Sequence, residues 1–134
     1  MDIIPYLFFD GRAEEALEFY RRALDAEVEA IHRFKDSPDP DQIPPGAGDK
    51  VMHVTFCVGD TTIMASDGHC HGAPNFQGFS LSLNVRTEAE AERFFAALSD
   101  GGKVEMPLAK TFFSPRFGVV NDRFGISWMV HVRP

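Results

Sequence analysis

The pattern of apolar positions predicts that the chain opens with a buried strand followed by an amphipathic helix. Residues 3–9 (IIPYLFF) form a continuous apolar run, which is typical of a strand covered on both faces. Pro5 places that strand at a sheet edge, because proline cannot donate to a hydrogen-bond ladder. Asp10 then predicts a helix N-cap, and a strand is expected from about Val28 to Phe34. The apolar positions of the helix recur at helical spacing: Ala13, Ala16, Leu17, Tyr20 and Leu24.

Strict alternation predicts a hairpin in the middle of the chain. Residues 51–58 (VMHVTFCV) place His53, Thr55 and Cys57 on one face and apolar side chains on the other. Residues 59–60 predict the turn, and residues 61–66 the returning strand. The preceding segment 36–50 carries four prolines and two glycines and is expected to be a loop.

The second half repeats this order. Residues 79–85 (FSLSLNV) predict a strand with Ser80, Ser82 and Asn84 on one face and apolar side chains on the other. Thr87 and Glu90 form a capping-box pattern, and a helix is expected to end at Ser99, before two glycines. Three further strands are expected near residues 103–108, 117–121 and 126–132.

The predicted fold class is α+β, with two βαβββ units in a single domain spanning residues 1–134. Unit one covers about residues 1–67 and unit two about residues 79–134. The two helices contain similar sequence segments, FYRRAL at 19–24 and FFAAL at 94–98. This similarity indicates duplication of one supersecondary unit. We expect the two units to form a curved, cup-like mixed sheet with the helices on its outer face.

Charge and composition exclude several classes of function. The chain of 134 residues has a net charge of −7, which disfavours nucleic acid as a partner. No apolar run is long enough to span a membrane. The first residues lack the basic region of a signal peptide, and Cys57 and Cys70 are too few for a disulfide framework. We therefore expect a cytoplasmic protein with reduced thiols.

The two polar rows are the main candidates for a binding surface. They either face solvent or line the inside of the cup. Hydroxyls, an amide, an imidazole and a thiol favour the cup, because a solvated face normally carries Lys, Glu or Arg. His53 is the candidate acid or base on these rows, with a structural role as the alternative. Arg116 either meets an anionic ligand group or is an exposed loop residue.

A separate cluster of ligand-type residues follows the hairpin. His69, Cys70 and His71 lie close to Asp67, and they form either a metal site or a polar loop. Adjacent side chains point in different directions, which is poor geometry for chelating one ion. Whether this cluster binds a metal stays open at the level of sequence.

Three sequence segments resemble those of a known family. FFDGRAEEALEFYRRAL, GDTTIMASDG and TFFSPRFGVVNDRFGISWMV resemble the vicinal oxygen chelate superfamily of glyoxalases, bleomycin-resistance proteins and dioxygenases. They are most similar to its PhnB-like branch, whose members are often labelled 3-demethylubiquinone-9 3-methyltransferase-like. The resemblance implies a cavity for a small organic molecule and a homodimer.

The superfamily's metal-binding positions fall on unsuitable residues in this chain. They correspond to Pro5, Met64, Ser80 and Met129, and none of these is a usual ligand for a divalent metal. We therefore expect no metal and no cofactor. The chain also lacks the glycine-rich turn of the usual S-adenosylmethionine enzymes. The expected ligand cavity comprises Phe9, His53, Thr55, Cys57, Met64, Ser80, Ser82, Asn84, Arg116 and Met129.

The sequence predicts a protein that binds a small organic molecule. One hypothesis is an enzyme that is metal-independent or weakly metal-dependent. The alternative is a non-catalytic sequestering or resistance protein, since an acidic cup would suit a cationic drug. The carboxylates lie mainly on predicted helices and loops, however, which weakens that idea. The sequence decides neither the ligand nor whether it is turned over.

Overall fold

Two four-stranded mixed sheets, each packed against one helix, make up the part of the chain that the structure describes. The computed structural model describes residues 1–39, 41, 43, 45–68, 70 and 73–134. The chain divides into two compact units, Met1–Pro74 and Asn75–Pro134. The predicted α+β class is confirmed. No helix in the described residues has the length and apolar character that crossing a membrane requires.

The first unit contains sheet A, in which the strands follow the order β1-β4-β3-β2. The β1–β4 pair is parallel and the other two pairs are antiparallel. The predicted hairpin is confirmed as β3 and β4. The elements of this unit are β1 (Tyr6–Phe8), α1 (Ala13–Leu24), β2 (Glu27–Arg33), a 3-10 helix (Phe34–Asp36), β3 (Val51–Val58) and β4 (Thr61–Ser66).

Helix α1 covers one face of sheet A with its apolar side. Tyr20 is almost fully buried, and its ring stacks on Phe56 of β3 at 6.3 Å between ring centroids. Phe9, directly after β1, contacts the same tyrosine ring. Each of these aromatic side chains contributes roughly 1.5–3 kcal/mol through burial, so this cluster fixes the helix on the sheet.

The start of the chain differs from the sequence prediction in two ways. The strand expected over residues 3–9 covers only Tyr6–Phe8, although it does lie at the edge of its sheet. The predicted cap Asp10 does not cap α1. Asp10 has a positive φ of 55° and lies before the helix, which begins at Ala13.

The side chain that caps α1 comes from the end of β4. Asp67 is 1% exposed, and its Oδ1 accepts hydrogen bonds from the main-chain N–H groups of Gly11 and Ala13 at 3.0 and 2.7 Å. Its Oδ2 accepts one from the N–H of Val51 at 2.7 Å. Asp67 therefore satisfies free donors at a helix N-terminus. Both oxygens of Asp67 thus accept from the main chain, while His69 and His71, with which the sequence groups it, lie outside the described residues.

The second unit contains sheet B, which repeats the topology of sheet A. Its strands follow the order β5-β8-β7-β6, again with the first pair parallel and the others antiparallel. The predicted repetition of one supersecondary unit is thereby confirmed. Its elements are β5 (Leu81–Val85), α2 (Glu88–Ser99), β6 (Lys103–Ala109), β7 (Phe117–Asn121) and β8 (Ser127–Val132).

Helix α2 packs closely on sheet B because β7 presents a glycine to it. A Cβ atom on Gly118 would lie 2.7 Å from the ring of Phe95 and 3.0 Å from the carbonyl oxygen of Met106, so no larger residue fits without a shift. The predicted cap is confirmed, since Thr87 Oγ1 accepts from the N–H of Glu90 at 3.1 Å. Strand β5 begins at Leu81, two residues later than predicted, and Phe79 is 43% exposed.

Candidate functional site

The face of sheet A opposite α1, here called the far face of sheet A, carries the first polar row. Leu7, Val54 and Phe56 are buried on the helix side. The alternate positions His53, Thr55 and Cys57 of β3 are half-exposed, as strand geometry requires. Strand register places Met64 of β4 directly between Thr55 and Tyr6. Four of the expected cavity residues therefore share this face: His53, Thr55, Cys57 and Met64.

His53 is held at both ring nitrogens by hydroxyl groups. Its Nδ1 lies 2.9 Å from the Tyr6 hydroxyl, and its Nε2 lies 3.3 Å from Thr55 Oγ1. A neutral imidazole offers one donor and one acceptor, and a hydroxyl can serve either. Partial burial raises the pKa of Tyr6, with an opposing contribution from its hydrogen bond with Ser66. Tyr6 therefore stays a neutral phenol beside the imidazole.

Aromatic rings surround this histidine. Tyr6 lies 5.6 Å from the His53 ring and 5.1 Å from Phe8, and His32 of β2 lies 6.5 Å from His53 on the other side. Phe8 is 57% exposed and Tyr6 is 41% exposed. Exposed aromatic side chains beside a fixed polar group form a surface to which a small apolar molecule can bind.

Cys57 is held as a thiol rather than a thiolate. Its Sγ donates to Glu29 Oε1 at 3.1 Å, and this hydrogen bond to a carboxylate is the largest cause of a raised pKa at Cys57. Because the thiolate is the nucleophilic form of cysteine, the arrangement suits hydrogen bonding and not nucleophilic attack. Cys70 also has a raised pKa, mainly because of burial.

Phe9 lies apart from these residues. It is fully buried and contacts Tyr20 of α1, so it belongs to the helix side of sheet A. The single-residue alternation along β1 explains the difference, because Tyr6 and Phe8 point one way and Leu7 and Phe9 the other.

The second polar row lies on the face of sheet B opposite α2, here called the far face of sheet B. Ser82 and Asn84 are exposed, and Ser82 pairs in register with Met129 of β8. Ser82 Oγ donates to Asn84 Oδ1 at 3.1 Å. Ser80 precedes the strand, and its hydroxyl lies 2.7 Å from that of Ser127. The row therefore consists of two separate hydrogen-bonded pairs of short side chains, Ser80–Ser127 and Ser82–Asn84.

Arg116 does not join this row. Its Nη2 donates to Glu92 Oε1 of α2 at 2.6 Å, and its Nη1 lies 3.4 Å from the carbonyl oxygen of Leu108. The guanidinium therefore lies on the helix side of sheet B, in a partly exposed ion pair. The partner of Arg116 in the structure is thus a carboxylate of its own unit, and a ligand contact by this arginine stays a prediction.

The residues at the superfamily's metal positions take part in strand pairing. The carbonyl oxygen of Pro5 accepts from the N–H of Met64 at 3.0 Å, and Met129 opposes Ser82 rather than Ser80. Across the residues that the structure describes, no group of three or more His, Cys, Asp or Glu side chains is placed to hold a metal ion. His69 and His71 lie outside the described residues.

Tyr6, Phe8 and His131 were not assigned to these faces by the sequence analysis. Tyr6 was hidden in a continuous apolar run, where alternation gives no signal. His131 lies 3.3 Å from Asn84 Oδ1 through its Nδ1. The alternation of Ser127, Met129 and His131 with the buried Trp128, Val130 and Val132 in β8 could have revealed it.

Comparison with known proteins identifies the class of protein. The fold is that of the glyoxalase and bleomycin-resistance proteins, the vicinal oxygen chelate superfamily. A glyoxylase/bleomycin resistance protein/dioxygenase domain from Frankia sp. EAN1pec, 15% identical, superimposes with a TM-score of 0.64 over 98% of this chain and 94% of that one. At this identity the likeness shows the fold alone.

The family is defined by closer matches. The chain belongs to the 3-demethylubiquinone-9 3-methyltransferase family, whose model matches residues 1–131, and thus to the PhnB-like branch of the superfamily. Protein YjdN of Escherichia coli is 33% identical over 98% of this chain and 95% of its own length. The crystal structure of PA1353 from Pseudomonas aeruginosa is 44% identical, covers 99% of this chain and 98% of its own, and has a TM-score of 0.87. The PhnB protein from Bacillus cereus is 33% identical, covers 98% and 99%, and has a TM-score of 0.81.

Proposed function

We propose that this protein binds a small, uncharged organic molecule on the far face of sheet A, with His53 as the central polar contact. The observation that carries the proposal is the fixed imidazole between exposed aromatic rings. Tyr6 and Thr55 hold both ring nitrogens, while Phe8 and Tyr6 leave large parts of their rings exposed. Exposed apolar surface beside an oriented polar group supports ligand binding.

The charge pattern supports an uncharged ligand. The far-face positions of β1, β3 and β4 carry only neutral side chains: Tyr6, Phe8, His53, Thr55, Cys57, Thr62 and Met64. The carboxylate that contacts this row is Glu29 of β2, which accepts a hydrogen bond from the Cys57 thiol. A charged molecule centred on His53 would lose hydration without a direct ion-pair partner, because the carboxylates on this face, Glu27 and Glu29 of β2, lie against the Cys57 end of β3.

Binding without turnover is favoured over catalysis. Both nitrogens of His53 are already hydrogen-bonded to protein hydroxyls, and Cys57 has a raised pKa, so His53 is not a free general base and Cys57 is not an activated nucleophile. Sheet A is mainly antiparallel, unlike the parallel sheet of the usual S-adenosylmethionine enzymes. We therefore propose a sequestering role rather than methyl transfer. We also propose a cytoplasmic homodimer, on the family resemblance and the two free cysteines.

Native mass spectrometry of gently purified protein tests the binding proposal. We expect a co-purified small molecule, and we expect Thr55→Val and His53→Phe to lower its occupancy severalfold. Thr61→Val is the matched control, because Thr61 is exposed at the turn end of the same hairpin. Equal occupancy in all three variants would contradict the site, and chemical conversion of the molecule by the wild-type protein would favour the enzyme instead.

A further inference from the structure

A second histidine, His131 of β8, carries a buried polar atom that the proposed function does not use. Its Nε2 is buried and has no hydrogen-bond partner among the residues that the structure describes. Such an atom is uncommon in folded proteins, because an unpaired buried acceptor or donor costs roughly 1–3 kcal/mol. It therefore calls for a physical explanation.

The neighbouring side chains decide which form of the imidazole is present. Asn84 Oδ1 accepts a hydrogen bond from Ser82 Oγ and lies 3.3 Å from His131 Nδ1. Because a carbonyl oxygen only accepts, the hydrogen of the neutral ring must be on Nδ1. Nε2 then carries a lone pair, so the unpaired atom is an acceptor that needs a donor.

Aromatic rings cover this acceptor. The rings of Phe113 and Phe117 each lie 6.0 Å from the His131 ring, and they meet one another edge to face at 5.1 Å. No charged side chain belongs to this group of Ser82, Asn84, Phe113, Phe117 and His131. A ligand that reaches Nε2 must therefore be largely apolar, flat enough to lie on a ring, and neutral.

Phe113 is attached to the group by weak contacts. It lies at the tip of the 110–116 loop and is 42% exposed, while the adjacent Phe112 is fully exposed. Its N–H donates to Thr111 Oγ1 within the same loop, at 3.3 Å. The loop is anchored behind the tip by the buried Ser114, whose hydroxyl lies 2.6 Å from the carbonyl oxygen of Val132. The Phe113 ring therefore meets the group through ring contacts, at the tip of a loop that is anchored behind it.

We propose that His131 Nε2 is the acceptor of a binding site on the far face of sheet B for a flat aromatic molecule that carries one neutral N–H or O–H donor. The ligand takes the place that the Phe113 ring occupies against Phe117 and His131. Its donor pairs with Nε2, and the Ser82–Asn84 pair holds the tautomer that keeps Nε2 free. The site uses none of the residues proposed for sheet A.

Indole and 1-methylindole are the probes that test this site, because only indole has an N–H to donate. Their binding is followed by NMR of protein carrying ¹⁵N-labelled histidine. We expect indole to shift the Nε2 resonance of His131 and to bind about tenfold more tightly than 1-methylindole, which corresponds to about 1.4 kcal/mol. A shift at His53 instead of His131 would assign the probe to sheet A and overturn this proposal.

Two variants separate the hydrogen bond to His131 Nε2 from the covering of that atom by the Phe113 ring. In His131→Phe we expect indole and 1-methylindole to bind equally, because the acceptor is gone. In Phe113→Ala we expect both probes to bind severalfold more tightly, with the preference for indole retained, because the competing ring is gone. If the wild-type protein and Phe113→Ala both bind the two probes equally, the proposal is wrong, whether or not His131→Phe folds.

Discussion

The carboxylate of Asp67 lies 2.7 Å from the main-chain nitrogen of Ala13, a residue 54 positions earlier in the chain. This contact joins the end of β4 to the first turn of α1. The same carboxylate accepts from Gly11 and from Val51 of β3. One buried side chain thus connects the helix to two strands of sheet A.

Asp67→Ala is expected to destabilise the protein by about 3 kcal/mol, because two buried main-chain donors and one partly buried donor lose their acceptor. Asp67→Asn should cost less, since one amide oxygen still accepts. Urea unfolding followed by circular dichroism measures both. Asp60→Asn, in the exposed β3–β4 turn, is the control and should change stability by no more than about 0.5 kcal/mol. A smaller loss in Asp67→Ala than in Asp67→Asn would contradict the capping role.

The orientation of β5 is tested by substitutions on the two faces of that strand, with a buried position of α2 for reference. Ser82→Trp should fold with a change within about 1 kcal/mol, because the side chain is exposed on the far face. Leu98→Ala, at a fully buried position of α2, should cost roughly 2–5 kcal/mol. Leu81→Ala should fall between them at roughly 1–2 kcal/mol, since Leu81 faces the helix side but is half-exposed on an edge strand. Leu98→Ala is the reference for a fully buried position, and thermal melts in which Ser82→Trp costs more than Leu81→Ala would place the strand the other way round.

The hydrogen bond between Cys57 and Glu29 predicts a pH-dependent reactivity. Because the carboxylate raises the pKa of Cys57, removing its charge should lower that pKa and increase the thiolate fraction at pH 8. In a Cys70→Ser background, Glu29→Gln should therefore react faster with iodoacetamide, with the rate profile shifted to lower pH. Glu27→Gln, which acts on Cys57 only through its charge, should shift the profile less. An unchanged profile in Glu29→Gln would mean that Glu29 does not hold the thiol.

Metal content is predicted from the donor groups at Pro5, Met64, Ser80 and Met129. Proline offers no side-chain donor, and thioethers and a lone hydroxyl bind divalent metals poorly. Elemental analysis of the purified protein should find less than one divalent ion per chain at these positions. If about one Zn, Ni, Fe or Mn is found, the His69→Ala, His71→Ala double variant locates it. Loss of the metal in that variant assigns it to the loop, whereas retention would contradict the prediction for the strands.

Tertiary contacts decided several features that the sequence analysis could not assign. The local sequence predicts Asp10 as the cap of α1, but the acceptor is Asp67, which β4 brings there. The sequence alone gives Arg116 no partner within the chain, and the packing of α2 on sheet B places Glu92 beside it. The Tyr6–His53 and Asn84–His131 contacts each join residues 47 positions apart. They depend on strand register, which no local pattern encodes.

The sequence by itself determined the order of elements, the faces of the strands and the repeated topology. These follow from side-chain periodicity and local capping, as with the alternation in β3 and the Thr87–Glu90 cap of α2, because neighbouring residues alone set them. The tertiary structure decided which polar groups meet. It brought the Tyr6 hydroxyl to His53 and left His131 Nε2 without a partner among the described residues. Partners of this kind are fixed only when distant strands pair, since hydrogen bonding needs atoms within about 3.5 Å.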